Sequence, residues 1–402
     1  MIAAPDPRRW RMLVIAFFAQ NLAPGMLFGS FGALILASQD HLHTTRAIAS
    51  LGLGMVLLAT GIFAPITSWL IGRTSIRFVM LLGAALSGLG YLTLAFADSA
   101  VWMLAANALL IGPGISLCGV MPSNALACNW FGKAQGRALG IVNMPLAVMI
   151  VPLLCVALLQ SFGLRWTYIS LALVYLPLFA MILFVVDAPP GEGETIVDPR
   201  ARTSPKQLMA SPAFWLIVAS SSFIVSGAIT KSAHLAPLMF ERGFPIEGAA
   251  LILSIAGGMG ILGSPIFGWI AEKWGGGIAL AISALFQGAA WILLLVANSF
   301  TLLVIVAAVV GACGGGYMVS TAVVISSLYG PRQFPKVYGM LSPMTLPIMF
   351  GAAPFAGYLR DLTGSYTLAF VLHIAGFAVA GVMALLLARL ERGARLASLA
   401  AA

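Results

Sequence analysis

Lys231 stands in a run from Pro212 to Met239 whose other side chains, His234 apart, are apolar or carry only hydroxyls. A charge held in hydrocarbon costs about 2.5–3.5 kcal/mol on insertion scales, so a retained cation points to a cavity or a partner. His234 follows three residues later, a spacing that puts both side chains on one helix face. An ammonium beside an imidazole suits the holding of an anion, and the imidazole exchanges protons near neutral pH. The alternatives are a lysine stem that carries its charge to the outer headgroups and a histidine with a structural hydrogen bond. Gln20 and Asn21 are amides midway along the first apolar run, just before Pro24 and Gly25. Proline removes a backbone hydrogen bond, and a helix broken at membrane depth lines a cavity or packs on protein. Asn124, Asn143, Tyr317 and Ser320, with Ser116, Asn129 and Thr321, are further polar side chains inside apolar runs. Each can meet a solute or bond a neighbouring helix.

Other chemistry is sparse. The sequence has no G-x-S-x-G elbow and no H-E-x-x-H helix, so no enzyme of those types is expected. His41 and His43 lack the further ligands that a zinc site needs, and no metal or other cofactor is expected. Cys118, Cys128, Cys155 and Cys313 lie inside apolar runs without C-x-x-C spacing and read as small buried hydrophobes. Asp40, Asp98, Asp187 and Asp361 stand at or near run ends. Proton coupling would therefore fall to His234, His373, Asp40, Asp361 or a proton brought by the substrate, and exchange and uniport stay open.

These residues sit on a chain of 402 residues, 61% hydrophobic and 8% charged, against about 25% charged residues in a soluble domain. Such a chain belongs in a bilayer. Apolar stretches fall near 12–37, 48–71, 78–97, 101–128, 138–161 and 166–187. Six more follow, near 212–239, 247–271, 277–297, 300–328, 338–359 and 366–388, each long enough for a spanning helix of about 20 residues. The polar stretch 188–211 reads as a cytoplasmic linker between an N-terminal bundle, 1–187, and a C-terminal bundle, 212–402. The first run is too long for a cleavable signal core.

The net charge is +9, but the basic residues are scattered through short loops rather than gathered on a nucleic-acid-binding face. Sixteen of the 21 Lys and Arg, from Arg8, Arg9 and Arg11 to Arg389, Arg392 and Arg395, fall on the side shared by the termini and the linker. Arg46, Arg165, Arg242 and Arg360 fall opposite, and Lys231 lies within a span. The positive-inside rule then puts both termini in the cytoplasm, in an inner, cytoplasmic membrane.

The halves repeat. Pro65-Ile-Thr-Ser68-Trp69-Leu-Ile-Gly72-Arg73 aligns with Pro265-Ile-Phe-Gly268-Trp269-Ile-Ala-Glu272-Lys273 at an offset of 200. Phe131-Gly132 and Gly140 match Tyr329-Gly330 and Gly339 at offsets of 198 and 199. Three matches in one order predict two six-helix halves related by a pseudo-two-fold axis along the membrane normal, the plan of an alternating-access carrier.

On these residues the sequence resembles the major facilitator superfamily over essentially its whole length. The family signature between helices 2 and 3 is a glycine followed by acid-Arg-x-Gly-Arg. The second-half copy, Gly268 to Gly275, keeps most of it, while Ser68, Gly72, Arg73, Ser75 and Arg77 keep the basic residues and lose the acid and the glycines. Trp130-Phe131-Gly132 with Arg137 and Gly140 resembles bacterial carriers of the monocarboxylate and oxalate/formate type. So do Ser211-Pro-Ala-Phe-Trp215, His234-Leu-Ala-Pro237 and Asp361-Leu-Thr-Gly364-Ser-Tyr366. A basic residue often found in helix 8 or 11 of anion carriers is missing from 247–270 and 338–358.

The resemblance implies an all-α membrane protein of twelve helices that acts as a monomer. Helices 1, 4, 7 and 10 would line a central cavity. Arg73, Arg77, Arg137, Gly268, Glu272, Lys273 and Asp361 would serve conformational gating. The function expected is transport of a small organic anion, a monocarboxylate, and the alternative is export of hydrophobic or cationic compounds.

Overall fold

The computed structural model describes residues 7–44, 46–189 and 204–400; most of the expected linker, 190–203, lies outside the described residues. Among the described residues helix is the only regular structure, because backbone polar groups in hydrocarbon must be satisfied within the segment itself. Eleven helical stretches are long and apolar enough to cross a membrane. One of them, Gln135–Ile182, has 48 residues, or about 72 Å at 1.5 Å per residue, more than twice a hydrocarbon core of about 30 Å. It breaks at Gly163, whose φ of +77° is open to glycine and costly for other residues.

Among the described residues the spans are therefore twelve. They are α1 (Arg8–His41), α2 (Arg46–Arg73), α3 (Ile76–Ala95), α4 (Ala100–Phe131), α5 (135–162) and α6 (164–182), then α7 (Pro212–Glu241), α8 (246–274), α9 (Gly276–Val296), α10 (Phe300–Tyr329), α11 (Phe334–Thr363) and α12 (Thr367–Ala400). Four are irregular. α4 contains a π-turn at Asn107–Ile111 and a break at Gly119, α5 is interrupted between Val142 and Leu146, α6 at Val174, and α8 at Met259. α1, by contrast, runs through Pro24 without a break, so the expected interruption reduces to one missing N–H. Ahead of α7, Pro205–Ala210 forms a short helix closed by a Ser204/Gln207 capping box.

Two compact units carry these helices. One gathers the described residues of Met1–Gly132, Pro145–Val197 and Phe334–Pro343, the other those of Lys133–Met144, Asp198–Gln333 and Met344–Ala402. Each thus takes in a short segment from the other half of the sequence. In the second unit, Gly136 and Gly140 lie against α8, where a Cβ on Gly136 would stand 2.5 Å from the Gly268 carbonyl and one on Gly140 2.9 Å from that of Ser264. In the first unit, Gly339 lies against α2, 3.0 Å from the Ala64 carbonyl by the same measure. Ala64 and Ser264, like Gly140 and Gly339, are repeat partners.

Helix caps repeat as well. The Asp187 carboxylate accepts from Ile76 N at 2.8 Å and Arg77 N at 3.3 Å, closing the start of α3. The Glu391 carboxylate accepts from Gly277 N at 2.7 Å at the start of α9 and from the Ser327 hydroxyl. A negative charge at a helix N-terminus satisfies orphan N–H groups and opposes the macrodipole. Gly132 and Gly330, repeat-related, both take positive φ, +40° and +84°. At the end of α9, Arg242 holds the carbonyls of Leu294 and Ala297 and the Asn298 side chain, a cation on a helix C-terminus. Partial burial lowers that guanidinium from its ordinary range, and it stays charged at neutral pH.

The repeat supplies a test. Arg137 pairs with Glu272 in the second unit, and their counterparts in the first are Lys336 and Gly72. A Cβ on Gly72 meets nothing within 4 Å. Gly72→Glu is expected to raise the melting temperature in detergent by recreating the pair, and adding Lys336→Ala is expected to remove the part of the gain that comes from charge. Equal gains in both backgrounds would leave only the helix-propensity effect of losing a glycine.

Candidate functional site

Lys231 lies in α7 and its Nζ donates to the Ala256 carbonyl at 2.8 Å. The physical cause is the interruption of α8. Ala256 is within the last turn of the segment Ile246–Gly258, where carbonyls run out of intrahelical partners and the negative end of the helix dipole sits. Among the described residues Lys231 has no carboxylate partner. Gly257 and Gly258, next to Ala256, have open space where a side chain would stand. The ammonium is thus held by one neutral acceptor beside open space.

His234 turns to another helix. Its Nε2 meets the Ala353 carbonyl of α11 at 2.9 Å, and since a carbonyl only accepts, Nε2 carries the proton. Its ring lies on Tyr366 with centroids 4.9 Å apart. Arg360 stands over the same tyrosine at 5.9 Å, donates to Glu241 at 3.2 Å and approaches Asp361 at 3.7 Å. Burial raises the Tyr366 hydroxyl above its ordinary range, so it remains a donor at physiological pH. Lys231 and His234 share a helix, but the structure leads them to different neighbours.

Tyr317 of α10 faces Ser221 of α7 and Thr321. The hydroxyls of Ser222 and Ser320 are buried and close no hydrogen bond among the described residues. Buried hydroxyls in that state are an exception that calls for a reason, and a polar ligand or water supplies one. Ser221 and Ser222 escaped the sequence reading because serines in helices commonly bond their own backbone, as Ser220 does with the Leu216 carbonyl at 2.7 Å.

In the first unit, Asn21 uses both ends of its amide, donating to the Phe17 carbonyl at 3.0 Å and accepting from Ala147 N at 3.1 Å. It thereby ties α1 to the start of the second segment of α5, beside the close approach of Gly25 to Ala147. Gln20 and Asn124 are buried. Ser116 shares a hydrogen bond of 2.9 Å with Thr67, and Asn129 donates to the Asp187 carbonyl at 3.0 Å. Asn143 donates to Leu139 and receives the Ser264 hydroxyl on its carbonyl at 3.1 Å; by its contacts it belongs to the second unit.

Of the expected gating residues, Arg137 and Glu272 form a forked pair, Nη2 to Oε1 at 2.6 Å and Nε to Oε2 at 2.9 Å, built on the Gly136–Gly268 approach. Arg73 lies on the Trp69 ring at 5.1 Å and Lys273 on Trp269 at 5.0 Å, which repeats one cation–π contact at an offset of 200. The Arg77 backbone takes part in the Asp187 cap. Asp361 is largely exposed, near Arg360. All four cysteines are buried.

Comparison with known proteins gives a consistent picture. The Major Facilitator Superfamily description matches residues 13–287 and 235–401. The chain is 26% identical over 380 residues to Monocarboxylate transporter 13 of Rattus norvegicus, covering 92% of this chain and 87% of the relative. It is 28% identical over 399 residues to Monocarboxylate transporter 11 of Homo sapiens, covering 92% and 81%. Among solved structures, the MFS transporter FucP in the outward conformation superposes with a TM-score of 0.76 at 15% identity, covering 94% of this chain and 97% of that one. The human organic anion transporter MFSD10 gives 0.74 at 16% identity, covering 94% and 100%. At such identity the structures speak for the fold.

Proposed function

The chain belongs to the Major Facilitator Superfamily, and from that premise we propose that this membrane transporter moves a small organic anion, a monocarboxylate, by alternating access. The observation that carries the reading is Lys231, a spanning cation held only by a backbone carbonyl, with no acid to neutralise it among the described residues. Keeping a bare ammonium at that depth is costly. A carboxylate that arrives with the substrate offsets the cost, and a charge-assisted hydrogen bond is about twice as strong as a neutral one. The names of the relatives point the same way. Within the second unit Asn143, His234, Tyr317 and Ser320, and within the first Gln20, Asn21 and Asn124, are the further residues proposed to meet substrate, and Arg73, Arg77, Arg137, Gly268, Glu272, Lys273 and Asp361 those proposed for conformational change. The protein works as a monomer in the cytoplasmic membrane with both termini inside, in keeping with its charge distribution, and binds neither metal nor organic cofactor.

Thermal shift of the purified protein in detergent, against mono- and dicarboxylates, sugars, amino acids and cationic drugs, tests the substrate class. A ligand at a hundred times its Kd stabilises the folded state by about 2.7 kcal/mol. Monocarboxylates are expected to shift the melting point and cationic drugs to leave it in place. The reverse pattern would keep the transporter and discard the anion.

A further inference from the structure

His373 of α12, one of the candidates for proton coupling in the sequence, is buried inside the second unit. Its Nδ1 lies 2.7 Å from the Ala369 carbonyl. A carbonyl has no hydrogen to give, so Nδ1 carries one, and in the neutral ring Nε2 is then a bare acceptor. Facing Nε2 at 3.0 Å is the hydroxyl of Thr230, which must donate to it. The same hydroxyl has a second acceptor within reach, the Ala352 carbonyl of α11 at 3.5 Å.

This geometry accepts a proton without losing a bond. When Nε2 takes up a proton, its new N–H donates to the Thr230 oxygen, and the Thr230 hydrogen rotates about the Cβ–O bond from Nε2 to the Ala352 carbonyl. The neutral ring has two hydrogen bonds in this set and the charged ring has three. The step takes up one proton, breaks no covalent bond other than that of the donor, and reverses when the proton leaves. The face of Trp291, 5.7 Å from the imidazole centroid and inclined by 30°, adds a surface that favours a cation. We propose that His373, with Thr230 and the Ala352 carbonyl, is a proton-binding site that couples transport to protons.

The surroundings bear on the charge. α9, packed along α12, carries no Asp, Glu, Lys, Arg or His. α10 contributes Cys313 and Tyr317, and α11 has its ionisable groups toward its two ends, Lys336 and Tyr338 at one and Tyr358, Arg360 and Asp361 at the other. α7 contributes Lys231, one residue after Thr230, and His234, with Glu241 at its end. Beyond these, α12 itself bears charge only in its last turns, from Arg389 onward. Lys231 and His234 are the groups that oppose a charged His373. On the reading proposed above, an anion next to Lys231 relieves that opposition, so proton and substrate favour each other's binding by linkage. Only this last clause rests on that reading.

The test of the site needs no organic substrate. The chain has four histidines, so the full-length protein labelled with nitrogen-15 histidine in nanodiscs presents four rings, and the signal lost in His373→Gln is His373. At about pH 8 it is expected as the Nδ1–H tautomer, and between about pH 8 and about pH 5 its two ring nitrogens are expected to converge as the second proton binds. Thr230→Val, close in shape, is expected to abolish proton uptake in that range, and Thr230→Ser to restore it. An Nε2–H tautomer, a ring that stays neutral throughout, or a titration indifferent to Thr230→Val overturns the proposal. In proteoliposomes, His373→Gln is then expected to lose uphill uptake of L-lactate driven by a proton gradient while keeping lactate exchange. A wild type that ignores lactate but titrates as described removes the substrate class and leaves the proton site standing.

Discussion

Uptake of a monocarboxylate into proteoliposomes is expected to fall by about ten- to a hundredfold when Lys231 is replaced by Met. That range corresponds to the loss of one charge-assisted hydrogen bond of about 1.5–3 kcal/mol. Methionine keeps much of the stem and its packing, so the change isolates the charge. The variant also strips the Ala256 carbonyl of its donor. A structural cap therefore predicts a lower melting point and unchanged initial rates per folded molecule, whereas a substrate contact predicts a fall in those rates and loss of the ligand-induced thermal shift. Lys231→Arg, which keeps the cation and still reaches a carbonyl, is expected to retain a measurable part of the transport. Full monocarboxylate uptake by Lys231→Met would sink the role assigned to this residue.

Gly268→Val is expected to abolish transport and lower the melting point. A Cβ at Gly268 would stand 3.1 Å from the Gly140 Cα and 3.2 Å from the Gly136 carbonyl carbon. All are backbone atoms of helices in contact, so no side chain can rotate to make room. Overpacking typically costs about 1–3 kcal/mol. Here it also separates the supports of the fork between Arg137 and Glu272, whose oxygens lie 2.6–3.0 Å from the guanidinium nitrogens. Glu272→Gln tests the fork alone, and is expected to slow transport with little change in folding. Gly314→Ala is the control, since nothing lies within 4 Å of a Cβ there, and a helical glycine replaced by alanine gains about 0.5–1 kcal/mol. A functional, stable Gly268→Val protein would mean that α5 and α8 do not need their close approach.

Much of the fold was legible before any coordinates. Twelve apolar runs, the repeat at an offset near 200 and the placement of Lys231 and His234 in one helix all follow from local composition and spacing. The run Gly314-Gly315-Gly316 marks a place where helices can approach closely, and the string does not say which glycine makes the contact. A Cβ on Gly315 would stand 2.6 Å from the Gly260 carbonyl oxygen and one on Gly316 would meet the Phe267 ring, while one on Gly314 would meet nothing within 4 Å. Asp187 reads in the sequence as an acid at a span end, and nothing in the string marks it as the cap of α3, 111 residues earlier. Thr230 reads as an ordinary helical threonine, and its tie to His373 spans 143 residues.

The sequence by itself determined that this chain lies in a membrane, how many times it crosses, and which polar side chains it carries into the hydrocarbon. Those properties come from the transfer cost of each residue and from helical spacing, which act over one or a few turns. Tertiary structure alone decided what those polar groups hold. Lys231 meets a carbonyl freed by a break in another helix, His234 and Thr230 turn to adjacent alanines of α11, and Asn21 ties α1 to α5. A hydrogen bond needs its two atoms within about 3 Å, and that distance is set by where glycines let helices approach and by where a helix is interrupted.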